Sequence, residues 1–238
     1  MRIFAIGDLH LPGGDKKPMD VFGAHWENHF ERIEADWRGR VSDEDIVLIP
    51  GDISWAMQLE PALEDLRRIS LLPGRKLILR GNHDFWWSSL TQLRCSLPEN
   101  MHAVQNDAFD AGDWVFCGTR GWMIPGQGAS AQDEKIYKRE ALRPRMSLEA
   151  ARKMAGGRPI VAMMHYPPLL PEHARTGTAF TQILSEFGVA RCVYGHLHGQ
   201  SVQRGYRGVY NGVQYDLVSC DALGFQVMDV TPSAREAE

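Results

Sequence analysis

The 238-residue sequence lacks the features that mark several large classes of protein. It has no internal repeat, no low-complexity tract and no apolar run approaching the ~20 residues that a membrane-spanning helix needs. Basic residues are not in excess, since 26 Lys and Arg face 30 Asp and Glu for a net charge of -4. This charge argues against a protein that coats long nucleic acid or an anionic membrane. A small anionic substrate stays compatible with it, because a bound metal ion outweighs a mildly acidic surface.

Cysteine is scarce and scattered. The four cysteines form no C-x-x-C pair, and dispersed thiols in a chain of this size are typical of a reducing compartment. The apolar stretch at residues 3–6 is too short for a signal peptide and is followed almost at once by Asp8. We therefore expect a cytoplasmic protein with no membrane partner.

Short apolar runs alternate with amphipathic patterns along most of the chain. Runs bounded by Gly, Asp, Pro or His indicate buried strands at residues 3–6, 46–49, 76–79, 115–117, 160–164 and 192–194. Apolar residues at helical spacing predict a first helix, with a stripe formed by Phe22, Trp26, Phe30, Ile33 and Trp37. Further helices are predicted at residues 61–69, 87–93, 131–156 (two helices broken at Pro144) and 178–187.

The pattern changes near the C-terminus. From residue 209, short alternating segments at 209–210, 213–217 and 225–230 are typical of a β-meander. No Ser- or Gly-rich linker divides the chain. The economical interpretation is one α/β domain with mixed sheets over residues 1–232, followed by a disordered tail at 233–238.

Polar residues follow five of the predicted strands, at the point where each strand ends. Because the carboxyl ends of strands in open α/β sheets form the ligand crevice, such residues can converge although they are far apart in sequence. A role in a turn explains any one of these segments alone, but not all five together. In chain order they are Asp8-Leu9-His10, Gly51-Asp52, Gly81-Asn82-His83-Asp84, His165 and Gly195-His196-Leu197-His198.

In this order the five segments resemble the signature of the calcineurin-like metallophosphoesterase superfamily, which is D-x-H, G-D, G-N-H-[DE], H and G-H-x-H. The match extends from Asp8 to His198, and no motif position is missing. Residues 51–57, 81–87 and 119–122 are also similar to a bacterial subgroup of predicted phosphohydrolases. The resemblance implies a four-layer α-β-β-α sandwich with two mixed β-sheets and a dinuclear metal centre.

The resemblance also implies a set of metal ligands. Seven residues would bind two divalent ions, with Asp52 bridging them and three further ligands on each ion: Asp8, His10 and His198 on one, and Asn82, His165 and His196 on the other. A mixture of carboxylate, imidazole and amide ligands suits Mn, Fe, Zn or Co better than Mg or Ca. We expect Mn²⁺ to support activity in vitro.

Four further side chains are predicted to act on the substrate or to support the residues that do. The resemblance implies that His83 protonates the leaving oxygen or stabilises its charge. Asp84 would fix the His83 tautomer, cap the following helix, or do both. Arg120, which follows a predicted strand, is a candidate phosphate clamp, and His173 lies in a loop just beyond His165. Four tryptophans that follow the motifs either line a pocket or pack in the core: Trp55, Trp86, Trp87 and Trp122.

The predicted function is hydrolysis of small phosphate esters by in-line attack of a hydroxide that bridges the two metal ions. We expect phosphodiesters, with nucleotide-like ones among the candidates, to be the preferred substrates. Protein phosphatases of the superfamily differ, because they carry an Asp-Arg-Gly triplet after G-D that supplies a positively charged arginine. Here Gly51-Asp52 is followed by Ile53-Ser54-Trp55-Ala56, which offers no cation for a phosphate dianion. The alternatives are a phosphomonoesterase or protein phosphatase of the same fold, and a catalytically inactive interaction scaffold, which would have lost ligands that this chain keeps.

Overall fold

The chain divides into two compact units in the computed structural model, which describes residues 1–14, 19–126 and 128–232. The first unit contains Met1–Ala103 and Val218–Thr231, and the second contains Val104–Leu217. Each unit is built on one β-sheet. The predicted tail at residues 233–238 lies outside the described residues, and the single domain over residues 1–232 stays a prediction.

The first unit contains a five-stranded sheet with the order β11-β1-β2-β3-β4. Four of its strands are parallel, and β11 pairs antiparallel with β1. The strands β1 and β2 are buried along their whole length, so they appear in the sequence as unbroken apolar runs. The strands are β1 (Ile3–Ala5), β2 (Ile46–Ile49), β3 (Arg75–Ile78), β4 (Met101–Ala103) and β11 (Met228–Asp229).

Helices α1 (His29–Arg40) and α2 (Leu59–Ser70) belong to this unit, and the predicted stripe of α1 is confirmed in part. Its buried residues Phe30, Ile33 and Trp37 join the hydrophobic core. Phe22, however, is 63% exposed and lies in a short 3-10 helix. The stripe therefore begins later than the sequence spacing predicts.

Helix α3 (Leu90–Ser96) begins three residues later than expected. Its N-cap is Ser89, whose side chain accepts a hydrogen bond from the Gln92 N–H (3.3 Å). A serine in this position satisfies one of the free N–H groups of the first turn. The alternative role of Asp84 as the cap of this helix is therefore wrong.

The second unit contains a six-stranded sheet with the order β5-β6-β7-β8-β10-β9. The four central strands are parallel, and the edge strands β5 and β9 are antiparallel to their neighbours. The strands are β5 (Ala108–Asp110), β6 (Val115–Thr119), β7 (Ile160–Met164), β8 (Arg191–Tyr194), β9 (Gly208–Tyr210) and β10 (Val213–Leu217). Together the two units confirm the prediction of an α/β fold with two mixed sheets.

The helices of the second unit are α4 (Ala131–Glu140), α5 (Leu142–Ala155) and α6 (Ala179–Glu186). The break between the first two lies at Ala141 rather than at Pro144. Pro144 is the third residue of α5, where its missing N–H removes no helical hydrogen bond. Within the described ranges, no helix is both long enough and apolar enough to cross a bilayer.

The predicted β-meander is wrong. Strands β9 and β10 form a hairpin in the second sheet, but β11 pairs with β1 in the first. After β10 the chain continues into the first unit, where the Gly7 N–H donates to the Val218 carbonyl (2.7 Å) and the Cys220 N–H donates to the Gly7 carbonyl (3.0 Å). The segments at 213–217 and 225–230 thus show similar apolar alternation in the sequence but belong to different sheets.

Candidate metal centre

The carboxyl ends of β1 and β2 place three predicted metal ligands close together in the first unit. Asp8, His10 and Asp52 are 0%, 4% and 2% exposed. His10 Nε2 lies 4.0 Å from Asp52 Oδ2, and ligand atoms of Asp8 and His10 lie within 4.8 Å of each other. Burial of a carboxylate costs free energy unless a cation or hydrogen bonds compensate. Two buried carboxylates beside an imidazole form a donor set that suits a divalent transition metal.

The backbone holds these three ligands in an unusual conformation. Their φ angles are 58° at Asp8, 46° at His10 and 50° at Asp52, in the left-handed region that costs a non-glycine residue about 1–3 kcal/mol. Hydrogen bonds between the two loops maintain it. The Asp8 N–H donates to the Gly51 carbonyl (2.9 Å), and the His10 N–H donates to the Asp52 carbonyl (3.0 Å). The pairing of β1 with β2 thus continues into the loops and fixes the backbone positions of Asp8, His10 and Asp52.

The loop after β3 carries Asn82 and His83, and it is hydrogen-bonded to Asp52. The His83 N–H donates to Asp52 Oδ1 (2.8 Å). Gly81 packs so tightly against Asp52 that a Cβ at residue 81 would lie 2.0 Å from the same oxygen. Asn82 is half-buried in this loop. The structure therefore brings the G-D and G-N-H segments into direct contact.

Asp84 is completely buried and joins these same loops. Its carboxylate accepts hydrogen bonds from five groups, which are the backbone N–H groups of Asp52, Ile53, Ser54 and Gly81 and the indole N–H of Trp86. Burial, and then the nearby Asp52 carboxylate, raises the pKa of Asp84 to about 6. Among the residues described, its contacts do not include the His83 ring. The catalytic role of Asp84 stays a prediction; the contacts observed hold two loops together.

Three predicted histidine ligands lie at the carboxyl ends of β7 and β8 in the second unit. His165 is fully buried, and its ring centroid lies 5.1 Å from that of His196, with ligand atoms within 4.8 Å of each other. Tyr166 packs against both rings, at 5.4 Å and 4.3 Å. His196 has φ 75°, again in the left-handed region. The His198 N–H donates to Ser201 Oγ (2.9 Å), which fixes the end of this loop.

Arg120 lies in the loop after β6 and is bonded to the loop that carries His165. Its carbonyl accepts hydrogen bonds from the N–H groups of His165 (3.2 Å) and Tyr166 (2.9 Å). Its guanidinium carbon lies 5.2 Å from the centroid of the Trp122 ring, within the range of a cation–π contact. The structure therefore places Arg120 beside a predicted ligand loop of the second unit, while its contact with substrate stays a prediction.

His173 lines a cavity of about 290 Å³ in the second unit, together with Tyr137, Lys138 and Thr178. Residues Ile124 and Pro125, which continue the loop of Arg120, form another wall. This volume is at the low end for pockets that bind small molecules. The structure shows a cavity at His173, and its role in binding substrate stays a prediction.

The four tryptophans near the motifs have different environments. Trp86 and Trp87 are 2% and 4% exposed and belong to the hydrophobic core, whereas Trp55 and Trp122 are only partly buried. The core therefore accounts for two of them. Trp55 has an environment that the sequence did not predict. Its ring lies against the rings of His10 and His83.

The chain is similar to a known protein family and to solved structures. A family model described as calcineurin-like phosphoesterase matches residues 1–200. No curated protein matches the chain. A solved structure of a protein of unknown function from Aquifex aeolicus is 15% identical, with 95% of this chain and 94% of that chain covered and a TM-score of 0.50. A phosphopantetheinyl hydrolase from Mycobacterium tuberculosis is also 15% identical, with 98% and 97% covered and a TM-score of 0.56. These two likenesses show the fold alone.

Proposed function

Because the chain belongs to the calcineurin-like phosphoesterase family, and is thus a hydrolase of phosphoric esters, we propose that it cleaves small phosphodiesters with two divalent metal ions. The observation that carries this proposal is the cluster of Asp8, His10 and Asp52, buried side chains with ligand atoms a few ångströms apart. An inactive scaffold would be expected to have lost metal ligands, whereas this chain keeps all seven.

We assign seven side chains as ligands of the two ions. Asp52 would be shared by the two ions, and three others would bind each one: Asp8, His10 and His198 for one, and Asn82, His165 and His196 for the other. The donor set, two carboxylates with imidazoles and one amide, supports manganese, iron, zinc or cobalt. Manganese is the ion we propose for the assay. When bound, such ions supply positive charge to the phosphate and a water molecule of lowered pKa.

His83 is the residue to which we assign the proton of the leaving oxygen. Its backbone N–H donates to Asp52 Oδ1, and its ring contacts those of Trp55 (4.7 Å between centroids) and Phe85 (6.3 Å). The imidazole is thus held beside a predicted ligand without being needed as one. A side chain that gives a proton to a poor leaving group typically contributes about 10²–10⁴-fold to the rate.

A preference for diesters is supported by the segment that follows Asp52. Ile53, Ser54 and Ala56 are 0%, 1% and 3% exposed, and the Ser54 hydroxyl donates to Asp65 Oδ2 (2.5 Å). These residues face the interior, and none of them is a cation that could offset the second charge of a monoester dianion. A singly charged diester needs no such cation.

A phosphomonoesterase is the second candidate, and Arg120 is the observation that favours it. An arginine that binds phosphate through two N–H groups would supply the missing charge from a different loop. The name of the Mycobacterium tuberculosis neighbour adds phosphopantetheinyl compounds to the substrates that we would assay. A nucleotide-like diester is the other substrate class that we propose. We also propose the cytoplasm as the compartment, because all four cysteines are free thiols.

The experiment compares kcat/KM for bis(p-nitrophenyl) phosphate, p-nitrophenyl phosphate and a phosphopeptide at equal manganese loading. We expect the diester to be hydrolysed best, and chelation to abolish hydrolysis. A monoester or phosphopeptide that wins by more than about tenfold, a difference of about 1.4 kcal/mol, would contradict the diester assignment. Arg120→Lys then tests the second candidate, because lysine keeps the charge but not the paired hydrogen bonds.

The role of His83 is tested with leaving groups of different acidity. We expect His83→Ala to lose about 10²–10⁴-fold in kcat for alkyl leaving groups and much less for p-nitrophenolate, which needs little protonation. His25→Ala, a change at an exposed histidine of the same unit, is the control. An equal loss for good and poor leaving groups would show that His83 positions the substrate instead.

A further inference from the structure

Trp55 lies three residues after Asp52, in the loop that follows β2. Its backbone N–H donates to the Leu11 carbonyl (2.8 Å), and the Leu11 N–H donates to the Ile53 carbonyl (2.9 Å). Its indole N–H donates to the sulfur of the buried Met19 (3.2 Å). Both the backbone and the far edge of the ring are therefore fixed.

The indole ring contacts two histidines of the proposed site. It stacks on His10, with centroids 4.7 Å apart and planes inclined by 21°. It also lies 4.7 Å from the centroid of His83, inclined by 55°. The two imidazoles are 5.9 Å apart. One rigid ring thus adjoins a proposed metal ligand and the proposed proton donor.

We infer that Trp55 is a positioning residue that sets the ring orientation of both His10 and His83. A ligand ring binds metal only when its nitrogen points at the ion, and loss of an orienting neighbour typically lowers metal affinity about 10–100-fold. A proton donor must lie within about 2.6–3.2 Å of the atom it serves, so a small rotation of the His83 ring is costly. The inference rests on the proposed function and predicts that one substitution changes two properties together.

Core packing alone is the competing explanation, and Trp37 offers a matched control for it. Trp37 is fully buried in the same unit, and its indole N–H also donates a hydrogen bond, to the Pro73 carbonyl (2.9 Å). It belongs to the same hydrophobic core as Trp55 but lies on α1. A general loss of core packing should therefore follow Trp37→Phe at least as much as Trp55→Phe.

The first measurement is Mn²⁺ affinity, determined by competition with a chelator in the absence of substrate. We expect Trp55→Leu, which keeps an apolar side chain but removes the ring, to bind Mn²⁺ about tenfold or more weakly. Trp55→Phe keeps a ring beside both histidines and should recover most of the affinity. Trp37→Phe should lower the melting temperature and leave Mn²⁺ affinity unchanged. Wild-type affinity in Trp55→Leu, or an equal loss in Trp37→Phe, would overturn the inference.

The second measurement is the dependence of kcat/KM on leaving-group acidity over a series of aryl phosphodiesters. Trp55→Leu should show a steeper dependence than the wild type, because a rotated His83 protonates poor leaving groups less well, and Trp55→Phe should restore the shallow one. An unchanged slope in Trp55→Leu, with the wild type active, contradicts this inference alone. A wild type that binds Mn²⁺ but hydrolyses no ester contradicts the proposed function, and the affinity comparison then still decides the role of Trp55.

Discussion

Gly81 is the position where a single methyl group should disable the site. A Cβ at residue 81 would lie 2.0 Å from Asp52 Oδ1 and 2.3 Å from the Asp52 backbone nitrogen, whereas real Cβ contacts shorter than 3.0 Å essentially never occur. Rotation of the Asp52 side chain cannot relieve the clash, because a backbone atom is part of it. Asp52 must therefore move by about 1 Å, and a displacement of that size at a reacting centre can cost about 10²-fold in rate. We expect Gly81→Ala to lose about 10²-fold in kcat/KM and to bind metal more weakly.

Gly39→Ala is the matched control for this change. Gly39 lies in α1, and nothing lies within 4 Å of a Cβ placed on it. Alanine in a helix is favoured over glycine by about 0.5–1 kcal/mol, so this variant should be slightly more stable and fully active. The assays are diester hydrolysis, metal content by mass spectrometry and thermal unfolding. A folded Gly81→Ala protein with kcat/KM within about threefold of the wild type and full metal content would refute the reasoning.

Three further predictions concern buried charged groups. Asp84→Asn turns an N–H₂ group toward backbone N–H donors, so the free energy of unfolding in urea should fall by about 2–5 kcal/mol. The exposed Asp110→Asn, the control, should change it much less. Burial lowers the pKa of Lys76 to about 8, and the unfolded chain keeps the proton up to the ordinary value of 10.5. The free energy of unfolding of the wild type should therefore rise between pH 8 and pH 10.5 more than that of Lys76→Met. The same pH dependence in both proteins would contradict this. Asp52→Ala should lower metal content and kcat more than any other single ligand change, since it removes the ligand proposed to touch both ions.

The strands that are buried on both faces are the elements that the sequence predicts best. The predicted bounds of β2 and β7 coincide with those of the structure, because every residue in them is buried and the apolar run ends where the strand ends. Strands β4 and β5 are not predicted. Each has only three residues, His102 interrupts the first, and the second is a partly exposed edge strand. Short or half-exposed strands leave no continuous apolar run to detect.

The proposed ligand residues were recognisable for a different reason. Metal chemistry restricts the side chains that can bind an ion to a few types, and the Asp, Asn and His residues after the strands follow the order of the family signature. Their backbone conformation was not predictable. Asp8, His10 and Asp52 have positive φ, and no glycine at these positions announces it. The conformation comes from hydrogen bonds between the loops after β1 and β2, which local sequence does not encode.

The residues that contact the proposed ligand Asp52 show where sequence reasoning reaches its limit. In Gly81-Asn82-His83-Asp84, the two middle residues are recognisable by chemistry, but the outer two act through shape and hydrogen bonding. Gly81 leaves the space that the Asp52 carboxylate occupies, and Asp84 accepts the N–H groups of the segment that begins at Asp52. Both therefore act on a residue that the sequence places in another motif. It follows that a substitution at Gly81 or Asp84 should displace Asp52 and so alter metal binding, although neither residue is among the proposed ligands.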